Sequence, residues 1–264
     1  MSKATSTDEQ TSAEQLTQAD ETVVVKIYRH NPEEEGDEPE LVDYEVPFEQ
    51  GMTVLDALIY VRDNIDSTLA FRHSCRQAVC GSDALFINGK QRLGCKTQIA
   101  DLEKPVRIEP LPHQGVRKDL VVDMQDFYNR MDEVSPEGQE VDVIEEDWED
   151  GVSERLQSAE NREKIKLSTR CIWCGACVSS CNIAAGDKRY LGPAPINKTY
   201  RFVMDEREDD ELNDKRMEIV EDSHGVWRCQ TQFSCTEVCP KDIPLTEHIQ
   251  ALKRKAVKRK LKFW

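Results

Sequence analysis

The run Thr22-Val-Val-Val-Lys-Ile-Tyr28 is β-branched and aromatic, and Leu41-Val-Asp-Tyr-Glu-Val46 alternates between apolar and polar positions. Each predicts a strand, and the acidic, Pro- and Gly-containing stretch between them predicts the turn of a hairpin. The period then changes. Val54, Leu55, Leu58, Ile59 and Val61 fall on one face of a helix, with Thr53 placed as its N-cap. Short strands follow at Ala84–Ile87, turned by Asn88-Gly89, and at Val106–Glu109. Hairpin, helix, loop and strands in this order predict a β-grasp domain.

Past residue 120 the strand signal gives way to helical spacing. Helices are predicted over Asp123–Met131, Ser153–Ile165 and Leu245–Leu261, the last just after Pro244. The expected fold class is α+β, a β-grasp domain followed by an all-α domain. The chain divides into a polar, disordered tail (1–21), the β-grasp domain (22–120), a helical connector with an acidic insert (121–165) and the helical domain (166–264).

Composition narrows the function classes. The 264 residues include 51 acidic and 35 basic side chains, a net charge of −16, which excludes nucleic acid as an expected partner. Acidic stretches such as Asn31–Glu40, Val141–Asp150 and Asp205–Asp214 would suit a salt-rich cytosol. No apolar run approaches the ~20 residues that span a bilayer, and the N-terminus has no apolar signal core. The chain is therefore expected to be soluble and cytoplasmic by itself. Against this acidity, Lys253 to Trp264 carries seven positive charges. They are read either as a solvated helix end that complements the helix dipole or as a foot on an anionic membrane surface or membrane partner, with Phe263 and Trp264 at the interface.

Cysteine spacing carries the chemistry. Two copies of one pattern occur, Cys171-x2-Cys174-x2-Cys177-x3-Cys181 and Cys229-x2-Gln232-x2-Cys235-x3-Cys239-Pro240, and the second has glutamine in place of its second thiol. In two-cluster ferredoxin runs the first three cysteines hold one cluster and the fourth reaches across to the other. On that rule Cys171, Cys174, Cys177 and Cys239 supply four thiolates, a [4Fe-4S] set. Cys181, Cys229 and Cys235 supply three, so the second cluster is expected to be [3Fe-4S]. Repetition of the run also predicts two pseudo-twofold helical units sharing the clusters.

Upstream, Cys75-x4-Cys80-x2-Asp83 with Cys95 has plant-type [2Fe-2S] spacing with aspartate at the third ligand position. Asp83 is the expected oxygen ligand, a harder but workable donor to iron; Ser82 is the alternative. All 10 cysteines are thereby assigned. Disulfide and zinc readings fit less well, because there is no secretory signal and the fourth, displaced cysteine of each run would have no role. Clusters couple to folding, so the apo-protein should be poorly folded. Trp173 and Trp227 are candidates to shield clusters or simply to pack helices. His73, His113 and His224 show no ligand spacing.

These motifs together resemble the iron-sulfur subunit of succinate dehydrogenase and fumarate reductase, the succinate:quinone oxidoreductase family. The phrases that carry the resemblance are Ser74–Asp83, Asn88-Gly89, Cys171–Cys177, Gly225–Cys229 and Cys235–Pro240, within a likeness spanning about residues 22–255. The resemblance implies electron transfer from the FAD of a flavoprotein partner through [2Fe-2S], [4Fe-4S] and [3Fe-4S] clusters to a quinone, in the tricarboxylic acid cycle and respiratory chain. It also implies an integral membrane anchor partner and a peripheral position on the cytoplasmic face of the cell membrane. No catalytic acid or base is expected on this chain, and the alternative is a fumarate reductase or another multi-cluster complex. Asp83 resembles the succinate dehydrogenase branch. Departures follow Cys181, where Asn182-Ile-Ala-Ala-Gly186 replaces a Pro-Ser-Trp phrase, and Cys229, where Gln230 stands in place of histidine. Altered quinone binding, to a menaquinone or another head group, is the expectation, with Asn182, Gln230, Gln232 and Lys241 as candidate contacts.

Overall fold

The computed structural model describes residues 21–134 and 156–262. Strands β1 (Thr22–Arg29), β2 (Glu40–Pro47), β3 (Ala84–Ile87), β4 (Lys90–Leu93) and β5 (Val106–Glu109) form one sheet in the order β2-β1-β5-β3-β4. The expected hairpin is present, with β1 antiparallel to β2 from Thr22 opposite Pro47 to Arg29 opposite Glu40. On its other side β1 runs parallel to β5. A parallel pair needs a crossover, and helix α1 (Val54–Tyr60) lies within it. Val23, Val25 and Ile27 alternate inward along β1 and meet Val54, Ala57 and Leu58 of α1 in one core. Each of the valine, isoleucine and leucine side chains contributes roughly 1.5–3 kcal/mol by burial.

Thr53 caps α1 as expected: its hydroxyl accepts the Asp56 amide, and the Asp56 carboxylate accepts the Thr53 amide. The helix does not stop at Val61 but continues through one wide π turn, Val61–Ile65. A small hairpin of β6 (Val116–Lys118) and β7 (Val121–Val122) was not foreseen, since strands of three and two residues are too short to display a period.

The second half is helical: α2 (Gln125–Glu133), α3 (Ala159–Lys166), α4 (Ala176–Ser179), α5 (Asn182–Gly186), α6 (Pro193–Val203), α7 (Asp210–Glu221), α8 (Ser234–Glu237) and α9 (Leu245–Lys262). The helix expected from Ser153 begins only at Ala159, because Ser158 takes the N-cap position and accepts the Asn161 amide; residues 153–155 lie outside the described residues. The polar tail to residue 20, the acidic segment Val141–Asp150 and the terminal Phe263 and Trp264 also lie outside them. Ile196 and Val203 of α6, Met217 and Val220 of α7, and Ile249, Leu252 and Ala256 of α9 form a second core. Phe127 and Met131 of α2 pack into that core, as do Ala84, Leu93 and Leu111 from the sheet domain. Polar ties reinforce the seam: the Ser179 hydroxyl donates to the Pro112 carbonyl at 3.0 Å, and Lys96 Nζ donates to the Pro240 carbonyl at 3.3 Å.

Among the described residues, three of the C-terminal charges have partners within the chain. Lys253 donates to the Cys229 carbonyl, Arg259 pairs with Asp214 and Glu221, and Lys260 lies over the Trp227 ring. They bind α9 to α7 and to the second cysteine loop.

Candidate metal centres

The two copies of the cysteine run fold alike, residue by residue. Each begins after a 3₁₀ turn, Ser168–Arg170 or Val226–Arg228, which delivers Cys171 and Cys229 in nearly the same extended conformation (φ −60°, ψ 125° and φ −63°, ψ 123°). Each loop then places two residues at positive φ, Trp173 and Gly175 in the first copy and Thr231 and Phe233 in the second. Three of the four are not glycine, and such conformations cost of order 1–3 kcal/mol each. The reversals turn backbone amides toward sulfur. The Trp173 amide is hydrogen bonded to the Cys171 thiol, and the Thr231 amide donates to Cys229 Sγ at 3.4 Å. Short helices α4 and α8 follow and carry Cys177 and Cys235, both buried.

Cys171, Cys174, Cys177 and Cys239 line one cavity, walled by Ile172, Trp173, Ile243 and Leu245. Cys181, Cys229 and Cys235 line a second cavity, together with Gln232, Tyr190 and Thr246. The chain thus brings the displaced fourth cysteine of each run to the other run's triplet. Gln232 borders this cavity from an exposed position. The Thr246 hydroxyl lies 3.6 Å from Cys235 Sγ, a contact that nothing in the sequence spacing marks.

Burial governs the charge of these thiols. It raises Cys171, Cys181 and Cys235, lifts Cys174 to about 12 and pushes Cys177 well above the usual thiol range. Such thiols stay protonated without a cation, so binding iron must displace their protons.

The upstream loop differs. Cys75 accepts amide hydrogens from Gln77 (3.4 Å), Val79 (3.3 Å) and Cys80 (3.2 Å), and these donors lower its pKa to about 7. Positive φ at Arg76 and Ala78 aims the amides inward, and Ala78 donates to Cys95 Sγ at 3.3 Å. Burial first, and then Asp83, pushes Cys95 up to about 11. Asp83 is only 2% exposed. Its Oδ2 accepts the Cys95 amide at 2.5 Å, while its Oδ1 is buried without any partner. A lone buried carboxylate oxygen beside three thiols is a donor awaiting an acceptor, as an oxygen ligand to iron would be. Ser82, the other candidate, has its hydroxyl 3.1 Å from Cys80 Sγ.

All ten thiols are free. Among the described residues no three Cys, His, Asp or Glu side chains converge closely enough to hold a single metal ion. Zinc would draw its ligands to roughly 2.0–2.3 Å of one centre; a cluster several atoms across needs ligands set around a cavity, which is the arrangement here.

The first loop touches the second site. A side-chain carbon at Gly81 would lie 2.8 Å from Cys174 Cβ and 3.0 Å from the Ile172 carbonyl oxygen. Only glycine permits this approach, and its φ of +73° also favours one. Consecutive sites are therefore adjacent in space as well as in sequence.

The remaining candidates separate. Gln230 and Gln232 border the three-thiol cavity, but Asn182 is exposed at the start of α5 and Lys241 borders the four-thiol cavity instead. Trp173 borders the four-thiol cavity while still 38% exposed, and Trp227 is held on the outside by its indole hydrogen bond to the Glu221 carbonyl. His73, His113 and His224 line neither of the two thiol cavities.

Fold and thiol arrangement together define a two-domain iron-sulfur protein. Residues 24–129 match the family described as a 2Fe-2S iron-sulfur cluster binding domain, and residues 168–243 match the 4Fe-4S dicluster domain. The chain accordingly binds 2Fe-2S and 4Fe-4S clusters and serves electron transfer as an oxidoreductase subunit, with its domains in the order of the succinate dehydrogenase iron-sulfur subunit that its motifs resemble. Its fold is similar to that of a chain in the Mycobacterium smegmatis Sdh1 complex in the apo form, at 24% identity over 91% of this chain and 97% of that one, with a TM-score of 0.77. A hypothetical protein from Helicobacter pylori is also similar, at 17% identity over 88% of this chain but 39% of that one, with a TM-score of 0.51. Among the described residues no helix is long and apolar enough to cross a membrane.

Proposed function

We propose that this chain is the electron-transfer subunit of a membrane-associated succinate dehydrogenase, with a flavoprotein on one side and membrane anchor subunits and quinone on the other. The observation that carries the proposal is the pair of crossed thiol sets, four around one cavity and three around the next, with the Gly81 loop pressed against the first. The fold shared with a chain of the Sdh1 complex supports it.

Cys75, Cys80, Asp83 and Cys95 hold [2Fe-2S]; Cys171, Cys174, Cys177 and Cys239 hold [4Fe-4S]; Cys181, Cys229 and Cys235 hold [3Fe-4S]. When bound, these clusters supply the one-electron redox steps between FAD and quinone. The protein's own part is to ligate, bury and space them. Amide donors around Cys75 stabilise its thiolate, and the apolar walls of the two helical cavities exclude water. Gln232 offers no thiolate, which leaves one corner of the third site without iron. Quinone lies near that site, with Gln230 and Gln232 as its polar contacts, and the lack of a tryptophan in the phrase after Cys181 and of a histidine after Cys229 favours a menaquinone or another head group. The subunit is peripheral on the cytoplasmic face of the membrane, held by its partners.

The test is low-temperature EPR of the anaerobically purified complex. A near-isotropic [3Fe-4S] signal when oxidised, with [2Fe-2S] and coupled [4Fe-4S] signals after dithionite, is the expected result. An iron-replete, intact preparation lacking the oxidised signal would sink the ligand assignment at Gln232.

A further inference from the structure

Tyr190 has no role in the ligand sets, yet its hydroxyl is in an unusual position. The side chain is 0% exposed, and the phenolic oxygen is buried with no hydrogen-bond partner. Its ring lines the three-thiol cavity together with Cys181, Cys229 and Cys235. The backbone around it is pinned. The Tyr190 amide donates to the Asp187 carbonyl (3.1 Å), its carbonyl accepts from Arg130 (3.3 Å), and the Leu191 amide donates to the His224 carbonyl (3.1 Å). Three separate segments thus fix the main chain here, and the side chain it carries is fully buried, away from water.

A buried hydroxyl without a partner is costly, and native interiors rarely leave one so. Among the acceptors that line this cavity are the sulfur atoms of Cys181, Cys229 and Cys235, which stand near enough to the phenol to act on it electrostatically, whereas the Thr246 hydroxyl is already engaged with Thr236 and Cys235. A phenol carries one O–H donor, and here no other partner takes it.

We infer that the Tyr190 hydroxyl donates a hydrogen bond to sulfur of the group held by Cys181, Cys229 and Cys235, and so raises that group's reduction potential. The inference rests on the [3Fe-4S] assignment proposed above. Its sign follows from charge. Reduction adds one electron, the sulfur acceptors become more negative, and a charge-assisted hydrogen bond is stronger than a neutral one. Hydrogen bonds to sulfur are one of the protein's means of setting such potentials. Tyr190 is a tuning residue; it neither ligates iron nor reacts.

The experiment is an EPR-monitored redox titration of the purified complex carrying Tyr190→Phe, which keeps the ring and removes only the oxygen. At a fixed ambient potential the reduced-to-oxidised ratio at this site should fall about tenfold, a midpoint lower by ~59 mV for a one-electron couple, with the oxidised signal retained. An intact signal with an unchanged midpoint would overturn the inference, and so would a hydroxyl bonded only to water, which gives that same result. Should Tyr190→Phe fail to assemble, the wild-type complex grown on tyrosine labelled with ¹⁷O at the phenol answers the question. All 6 tyrosines lie among the described residues, and Tyr190 is the one that lines this cavity. A resolved ¹⁷O coupling to the oxidised cluster supports the bond, and its absence removes it. A wild-type complex with no oxidised [3Fe-4S] signal would instead overturn the cluster assignment itself, so the two failures are separable.

Discussion

Replacing Gly81 by alanine tests how tightly the first cysteine loop is seated against the second site. Two costs arise. The conformation at φ +73° disfavours any side chain by about 1–2 kcal/mol. The added carbon would then stand 2.8 Å from Cys174 Cβ, 3.0 Å from the Ile172 carbonyl oxygen and 3.1 Å from Cys174 Cα. Two of these are backbone atoms, and the third belongs to a side chain whose sulfur is tethered at its cavity. None can fold aside, so the loops must part by about 0.6 Å to regain ordinary contact. Overpacking of this kind costs about 1–3 kcal/mol. Gly89 supplies the control, because its φ is +78° and nothing lies within 4 Å of the carbon alanine would add. Gly89→Ala carries the conformational cost alone. The assay is the rate of visible bleaching of the holoprotein in guanidinium without oxygen, since stability of a cofactor-bound protein is read as a rate. With tenfold per 1.4 kcal/mol, Gly81→Ala should bleach about 5- to 150-fold faster than Gly89→Ala. Equal rates for the two variants would refute the contact.

Gln232→Cys adds a thiol at the vacant corner of the three-thiol cavity, so the oxidised [3Fe-4S] signal should diminish in favour of a [4Fe-4S] signal on reduction; an unaltered spectrum would contradict the alignment of the two runs. Asp83→Ala should deplete the upstream site of iron by most of its occupancy, whereas Asp83→Cys should keep two irons with changed g-values; full occupancy in Asp83→Ala would shift the ligand role to Ser82. His248, buried against Tyr200 at 3.9 Å and hydrogen bonded to Asn197, has its imidazole pushed down to about 4 by burial. The unfolded chain takes up that proton near the ordinary ~6.5, so the contribution is complete above pH 6.5 and is lost as pH falls toward 4, by up to about 3 kcal/mol. His248→Gln should flatten this part of the pH dependence of holoprotein bleaching, and parallel profiles for variant and wild type would dismiss it.

The chemistry of this protein was legible because it is local. A ligand set is a matter of residue type and spacing: the Cys-x2-Cys-x2-Cys run forces its loop to turn amides toward sulfur, and one substituted thiol at Gln232 changes the count. The β-branched run of β1, the alternation in β2, the cap at Thr53, the amphipathic spacing of α1 and the start of α9 just after Pro244 were equally plain, since each rests on neighbours within a few residues. Other features depended on segments far apart in the chain. The start of α3 moved because Ser158 outcompeted the upstream helical pattern for the cap, and β6 and β7 were too short to show a period. Lys241, a candidate quinone contact on sequence grounds, borders the four-thiol cavity because it follows Cys239, which crosses over to that site. The seating of Gly81 on Cys174 requires two domains to pack. Tyr190 is the sharpest case: nothing about an aromatic residue nine places after Cys181 marks it. Its significance lies in a buried, unpartnered oxygen, and burial is created only when α2, the α5–α6 turn and the loop before Val226 close around it. Sequence alone thus marked which thiols, and which carboxylate, are the candidates to bind iron. The tertiary structure decided which other groups those sites would face, because desolvation and contact are properties of packed surfaces.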